Sequence, residues 1–354
     1  MERTGAEMLR RITTISLIIA GMCACSVVFS GGLAVTNPLL SKSRPWCVGR
    51  FVFDRPVVSE ISNQSYEFRG ERIDVKHKSS VAEYDSKVKA LGTKLNSSQR
   101  VNPGTGVKID HSWLERELHP RSDSAVFVYQ EYYSKSGLDF KTEGYLLDGG
   151  NLFHTVGGIG AEALGQAEEI YKDTYRRIKS RDNWSVPTES GFCIDGGIVT
   201  GSSTYSEEVT QSFALMPESR PALLLIQMRD SVSQDRDPAA SLLKTLPDLR
   251  AKLDSIGAHY RILRQGHRKV AGIDAEEVLF EAKDGGVTEY RFSLLAPGDP
   301  STLAKPHTSI QMILGDISGR DMPADERTAP VDEAGALQAW DTLLNSLRLR
   351  PGAV

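Results

Sequence analysis

The residues with the clearest potential for chemistry are the glycines of segment 156–163, VGGIGAEA. Gly158, Gly160 and Ala163 match the G-x-G-x-x-A pattern that holds a dinucleotide pyrophosphate at a helix N-terminus. That chemistry needs a parallel βαβ unit and an acidic residue about 20 positions further on, at the end of the next strand. Here hairpin-forming segments precede the pattern and a linker follows it. We therefore predict a tight strand-to-helix turn and no cofactor-binding residues.

The remaining polar motifs do not make a catalytic or metal site. Asp110, His111 and Ser112 are adjacent, and adjacent residues rarely adopt the geometry of a catalytic triad. The seven histidines show no metal-ligand spacing, and the chain contains no G-x-S-x-G, H-E-x-x-H, C-x-x-C or P-loop motif. Asp-Gly-Gly at 148–150, 195–197 and 284–286 is typical of hairpin turns. We predict no catalytic residues, no metal and no enzymatic activity.

The N-terminus predicts export. Arg10 and Arg11 precede the apolar run 12–29, which is the pattern of a secretory signal. The run is also just long enough for a membrane span. We therefore assign residues 1–34 to a signal peptide or membrane anchor, with lipid attachment as a further alternative. The expected location is the periplasm. The net charge of −4 favours neither nucleic acid nor anionic lipid as a partner, so membrane contact is expected only through the N-terminus.

Export has a consequence for the cysteines. Of the four, two lie within residues 1–34, and Cys47 and Cys193 remain. An even pair in an oxidising compartment is a candidate disulfide. The alternative is that each is a separate buried cysteine that packs as a small apolar residue.

The two cysteines head two stretches with a common plan. Segment 45–56, PWCVGRFVFDRP, and segment 191–201, GFCIDGGIVTG, both place an aromatic residue, a cysteine, a branched aliphatic residue and a nearby glycine before a β-prone run. After each, the order strand, strand, helix, three strands, helix is predicted from turn signals and apolar periodicity. We predict an α+β protein of two similar domains, 40–185 and 190–350. Each has an antiparallel sheet packed with two amphipathic helices, and internal duplication is the explanation.

Two segments of the second copy differ from the first. The apolar run 222–228, ALLLIQM, predicts an inserted core strand that the first copy lacks. A helix starting near Asp237 carries the stripe Leu242, Leu246, Leu249 and Leu253. Long polar loops at 202–206, 231–237, 297–307 and 315–330 are candidates for a functional surface.

The pattern resembles the immunity proteins that are paired with type VI secretion lipase effectors of the fourth class. The residues that carry the resemblance are WCVGRF at 46–51, GFCIDGG at 191–197, VAG at 270–272, Glu276-Glu277, and the helix with Trp340. The resemblance implies a periplasmic inhibitor that clamps a cognate phospholipase between two domains and has no catalytic residues. We expect aromatic or arginine anchors on loops.

Two other functions are compatible with the residues alone. An exported protein that binds lipid or cell-wall fragments would need a largely apolar pocket with a few converging polar groups. A hydrolase without a recognised motif would consume an ester or glycan unaided.

Overall fold

We describe residues 37–132, 139–201, 206–216, 220–230, 241–255, 257–319 and 322–354 of a computed structural model. Residues 36–354 form one compact unit. The predicted signal or anchor at 1–34 lies outside the described residues, as do most of the loop 202–206 and all of the loop 231–237. In the part of the chain that is described, no helix has the length and apolar character needed to cross a membrane.

The strands are β1 Ser43–Val48, β2 Phe51–Pro56, β3 Glu60–Phe68, β4 Glu71–Lys76, β5 Gln99–Val101, β6 Lys108–Ser112, β7 Leu114–Leu118, β8 Ser124–Tyr129, β9 Phe140–Asp148, β10 Asn151–Ile159, β11 Ile178–Ser180, β12 Gly191–Ile194, β13 Gly197–Thr200, β14 Glu207–Ala214, β15 Ala222–Arg229, β16 Tyr260–Val270, β17 Ile273–Asp284, β18 Val287–Ala296, β19 His307–Leu314 and β20 Arg348–Leu349. The α-helices are α1 Val81–Ser97, α2 Ala167–Arg177, α3 Leu242–Ser255, α4 Ala324–Arg327 and α5 Glu333–Ser346, with 3-10 turns at Pro38–Leu40 and Ala161–Gln166.

Local chemistry sets the ends of the long helices. The Ser80 hydroxyl accepts from the Glu83 N–H at 3.2 Å and caps α1. The Asp332 carboxylate accepts from the Gly335 N–H at 2.8 Å and caps α5 in the same way. Both caps satisfy backbone donors that have no partner within the helix. Helix α3 continues through Pro247, although a proline inside a helix usually kinks or ends it.

Turn glycines connect the hairpins where the sequence placed them. Gly149 and Gly150, between β9 and β10, have φ of +54° and +80°, and Gly285 and Gly286, between β17 and β18, have +53° and +81°. Positive φ at both central residues is what a two-residue hairpin loop needs. The Asp-Gly-Gly motifs therefore act as turns.

Twelve of the described strands form one antiparallel sheet with the order β16-β17-β18-β19-β15-β14-β3-β4-β10-β9-β8-β7. This corrects the expectation of a separate sheet in each domain, because β3 of the first half pairs with β14 of the second over eight residue pairs. It also corrects the expectation that 222–228 is an inserted strand. Strand β15 lies beside β14 as β4 lies beside β3, so both halves have a strand at this position.

The strand order outward from the β3–β14 pair is the same on both sides. Each half contributes six strands to the large sheet, which can be numbered one to six along the chain. Outward from the β3–β14 pair, the order on both sides is one, two, six, five, four, three. Two three-stranded sheets each combine strands of both halves. Strand β2 of the first half pairs with β20 at the end of the second, and β13 of the second half pairs with β11 at the end of the first.

The core lies on one face of the large sheet. Helices α2 and α5 cover this face together with the cysteine hairpins, which are β1–β2 with Cys47 and β12–β13 with Cys193. The centre of the core includes Phe68, Phe153, Phe213, Phe292 and Trp340. A smaller core lies under α1 on the opposite face, where Leu91 and Leu95 pack on Ala125, Phe127, Tyr145 and Leu152. Strands in the middle of the sheet alternate buried and partly exposed residues, as β15 does throughout.

Candidate functional site

The junction between the two halves is built on the two cysteine hairpins. Cys47 in β1 and Cys193 in β12 form a disulfide, and the Cys193 N–H donates to the Gly49 carbonyl at 2.8 Å. Gly49 has a φ of +55°, and an added Cβ would lie 3.1 Å from a Val209 methyl group, so a glycine is needed at this turn. The backbones of the two hairpins therefore approach each other directly.

A buried ion pair lies next to the disulfide. Arg50 Nε and Nη2 donate to the Glu207 carboxylate at 2.7 and 2.6 Å, and the two side chains are only 3% and 5% exposed. Burial raises the pKa of the Glu207 carboxyl, and the ion pair with Arg50 opposes that rise. A second buried arginine, Arg350, donates to the Glu189 and Gly191 carbonyls at 2.6 and 2.7 Å. Both contacts tie the C-terminal segment to the linker between the halves.

An arginine among aromatic rings completes the junction on the side of β2. The Arg55 guanidinium carbon lies 4.2 Å from the Trp46 ring centroid, 4.9 Å from that of Trp184 and 5.1 Å from that of Phe213. Burial lowers the pKa of Arg55 to about 10, so the side chain is still charged at neutral pH. Because the rings surround this guanidinium inside the protein, it stabilises the fold and is not available as an exposed anchor.

The most polar cluster is centred on Asp195, at the tip of the hairpin β12–β13. Its carboxylate accepts from Gln64 Nε2 at 2.9 Å and Asn183 Nδ2 at 2.6 Å, and it lies 2.9 Å from His77 Nε2. The other ring nitrogen of His77 lies 2.9 Å from Asn151 Oδ1. Both nitrogens of the histidine are therefore engaged in a network that links distant segments, and neither is placed to activate a nucleophile.

The motifs considered for chemistry lie apart from one another. Gly158 is at the end of β10, and Gly160 precedes a 3-10 turn, within antiparallel strands and not a parallel βαβ unit. His111 is exposed in β6, where its Nδ1 lies 2.9 Å from the Ser112 carbonyl oxygen. In the described ranges, no three residues of the types His, Cys, Asp or Glu form a group that could hold a metal ion.

Among the described elements, no helix packs closely on one side of the strands in the middle of the large sheet. We call the side of β3, β14, β15 and β19 that faces away from α2 and α5 the open face. Cross-strand partners share a face of a sheet. The register of these strands therefore places Ser65, Thr210, Gln227 and Ser309 in one row across the open face, and all four are half-buried or exposed. The opposite sides of the same strands are buried in the core.

Helices flank the open face. Helix α1 packs over β7, β8 and β9 at one end of the sheet, and α3 packs over β16 and β17 at the other. The leucine stripe predicted for α3 is only partly used: Leu246 is buried, whereas Leu249 is 41% exposed. The open face is therefore a flat surface bordered by one helix at each end of the sheet.

A cleft of about 200 Å³ lies beside α1, lined by Asp74, Val75, Lys76, Lys87, Tyr145, Leu152 and His154. The rings of Tyr145 and His154 stack with centroids 4.7 Å apart, and His154 Nε2 lies 2.9 Å from the Glu143 carboxylate. The hydrogen bond from His154 lowers the pKa of Glu143. Sequence reasoning did not identify this cleft or the open face, because the polar residues that face outward on a strand look the same whether or not they bind a partner.

Solved structures share the fold. The chain is similar to the apo structure of immunity protein TplEi of T6SS from Pseudomonas aeruginosa, at 23% identity and a TM-score of 0.74, with 88% of this chain and 98% of that chain covered. It is similar to the same extent to a crystal structure described as the Tle4-Tli4 complex, at 22% identity, a TM-score of 0.74 and coverage of 88% and 98%. No curated protein matches the chain.

Family models give the assignment. Residues 44–176 match the N-terminal domain of Tle cognate immunity protein 4, and residues 185–352 match the C-terminal domain of the same family. Together the two models cover nearly all of the described residues in their expected order, as the resemblance of the cysteine hairpins indicated. The chain belongs to the Tle cognate immunity protein 4 family.

Proposed function

We propose that this protein is an immunity protein that binds a cognate type VI secretion phospholipase effector and inhibits it without catalysis. Family membership supports this function, and a structure with the same fold is described as a Tle4-Tli4 complex. The observation that carries the proposal is the open face with α1 and α3 at its two ends. A broad surface that no described helix covers is suited to a protein partner and not to a small substrate.

The partner lies on the open face, between α1 and α3, so that both halves contact it. This places the contact on strands and helices, whereas the sequence suggested loops. Elements of regular structure hold side chains in place with little loss of entropy on binding. The disulfide and the Arg50–Glu207 ion pair support this arrangement, because they fix the junction behind the sheet. In this arrangement the two halves clamp the lipase because α1 and α3 contact it from opposite ends of one rigid sheet.

The protein acts in the periplasm, after export directed by residues 1–34. A disulfide between Cys47 and Cys193 is compatible with an oxidising compartment. We also infer that domains 40–185 and 190–350 arose by duplication. The matching strand order on the two sides of the β3–β14 pair supports that inference, as do the two cysteines, which occupy corresponding hairpins.

The test measures inhibition with purified proteins. The full chain is produced with its export signal, recovered from the periplasm, and mixed with a purified candidate lipase effector while hydrolysis of a fluorogenic phospholipid is followed. We expect activity to fall to the background level at a one-to-one ratio. A lipase that keeps full activity in excess of this protein, with no heat of binding by calorimetry, would show that the proposal is wrong.

A pair of variants tests the location. Thr210→Arg introduces a long cation in the middle of the open face, and we expect it to weaken binding at least tenfold, because an unpaired charge buried in an interface is costly. Gln166→Arg makes the same change of charge at an exposed residue directly before α2, behind the sheet, and should leave binding unchanged. Equal affinities for the two variants would place the partner elsewhere.

A further inference from the structure

The open face has an apolar centre in the second half of the chain. Cross-strand pairing places Ala214, Leu223 and Ile313 side by side on β14, β15 and β19. The row continues to Glu60 on β3 at one end and to Arg291 on β18 at the other. Neighbouring strands are about 4.8 Å apart, so three apolar side chains span about 10 Å between an acidic and a basic residue.

The next row adds a fourth apolar residue. Leu225 lies on the open face between Ser212 and Gln311. Leu223, Leu225 and Ile313 are only half-buried, although the residues between them on the same strands are fully buried in the core. We call Leu223, Leu225 and Ile313 the apolar patch.

The composition of β15 is unusual for a strand with one uncovered face. Such strands normally alternate apolar and polar residues, and β14 does so with Glu208, Thr210 and Ser212 on the open face. In β15, however, leucines occupy both faces from Leu223 to Leu225. A run of this kind is typical of a strand that is covered on both sides. The apolar patch therefore indicates that a partner covers this part of the open face.

We propose that the apolar patch is the desolvated centre of the surface that binds the lipase. The inference rests on the proposed function and adds which half anchors the partner through apolar contact. The occupant is an apolar area on the lipase, because an enzyme that works at lipid surfaces exposes such area. Polar residues of β3 (Asn63, Ser65 and Glu67) lie on the first-half side of the open face and form the rim. An apolar centre within a polar rim is the usual anatomy of a protein interface.

The test replaces Leu223 and Leu225 with threonine, which removes apolar area and introduces a β-branched side chain that strands favour. Affinity for the purified cognate lipase is measured by calorimetry or biolayer interferometry. We expect a loss of about tenfold for each leucine, as for buried anchors in other interfaces. Val107→Thr, at an apolar residue that is 60% exposed in the β5–β6 segment, is the matched control and should bind as the wild type does.

The outcomes separate this inference from the proposed function. If the wild type binds the lipase and the double variant binds it within twofold as tightly, the inference is wrong and the proposed function stands. If the wild type does not bind, the proposed function itself is wrong. If light scattering shows a wild-type dimer that the double variant dissolves while lipase binding is unchanged, a second copy of this chain covers the apolar patch, which also overturns the inference. Should the double variant fold poorly, Ile313→Thr on the neighbouring strand provides the same comparison.

Discussion

Removing the disulfide should cost a large share of the stability of this protein. Cys47 and Cys193 close a loop between positions 146 residues apart. In the chain-entropy treatment, a cross-link over a loop of this length lowers the entropy of the unfolded chain enough to stabilise the fold by about 5 kcal/mol. Measured values for native disulfides are commonly about 2–5 kcal/mol. We therefore expect the Cys47→Ala, Cys193→Ala double variant to lose about 3–5 kcal/mol of unfolding free energy.

The assay is urea unfolding followed by tryptophan fluorescence, because Trp46 lies beside the junction. Wild type in excess dithiothreitol is the informative control: it keeps both sulfur atoms in the core and loses only the cross-link. If the cross-link carries the effect, reduced wild type and the double variant should unfold at similar urea concentrations, well below that of oxidised wild type. Dithiothreitol should not change the unfolding of the double variant.

Equal unfolding free energies for oxidised wild type and the double variant would refute the claim that the cross-link stabilises the fold. In that case the β3–β14 pairing and the crossed hairpins would hold the halves together unaided. A double variant that is less stable than reduced wild type by a further margin would instead report the loss of buried sulfur, which is a packing effect. The two contributions are thus measured separately.

Three further changes test the buried charges and the helix that borders the open face. Glu207→Gln leaves the buried Arg50 guanidinium without its counterion and should lower the unfolding free energy in urea by about 3–5 kcal/mol. Glu208→Gln changes the next residue, which lies on the open face, and should lower it little. Equal losses for the two variants would contradict the burial argument. Burial raises the pKa of Glu71, so its ionisation reduces stability as the pH rises through the folded-state value. The stability of the E71Q variant relative to wild type should therefore increase as the pH rises above about 4, the usual range of a free carboxyl group. A difference in melting temperature that does not change with pH would refute this. Leu249→Asp should leave the melting temperature unchanged, because the side chain is 41% exposed. The same variant should weaken lipase binding about tenfold by calorimetry, whereas the control Val107→Asp should bind the lipase as the wild type does.

Local features of the fold could be read from the sequence. The Asp-Gly-Gly motifs were predicted as turns and form hairpins at 148–150, 195–197 and 284–286, because positive φ at glycine is a property of the residue itself. The first helix of the predicted order is α1, whose apolar stripe is Tyr84, Val88, Leu91 and Leu95, and such a helix can be predicted because helical periodicity is set by neighbours three and four positions away.

The partners of the strands could not be read in this way. Alternation of apolar and polar residues identifies a strand and its buried side, and it does not specify which strand lies next to it. Strands β3 and β14 were therefore predicted to belong to separate sheets, whereas they are neighbours at the centre of one sheet. For the same reason β15 was predicted as a buried insertion, although one of its sides lies on the open face.

By itself, the sequence determined the hairpin turns, the helices, the two candidate disulfide cysteines and the resemblance to an immunity protein family, because each of these depends on residue type and on spacing along the chain. Only the tertiary structure decided that the halves share one sheet, that their hairpins are exchanged, that Arg50 is paired with Glu207, and that one face between α1 and α3 is left open. Those features join residues more than a hundred positions apart, as the separation of 157 between Arg50 and Glu207 illustrates. Contacts of that range are selected by the packing of the whole chain and leave no local pattern.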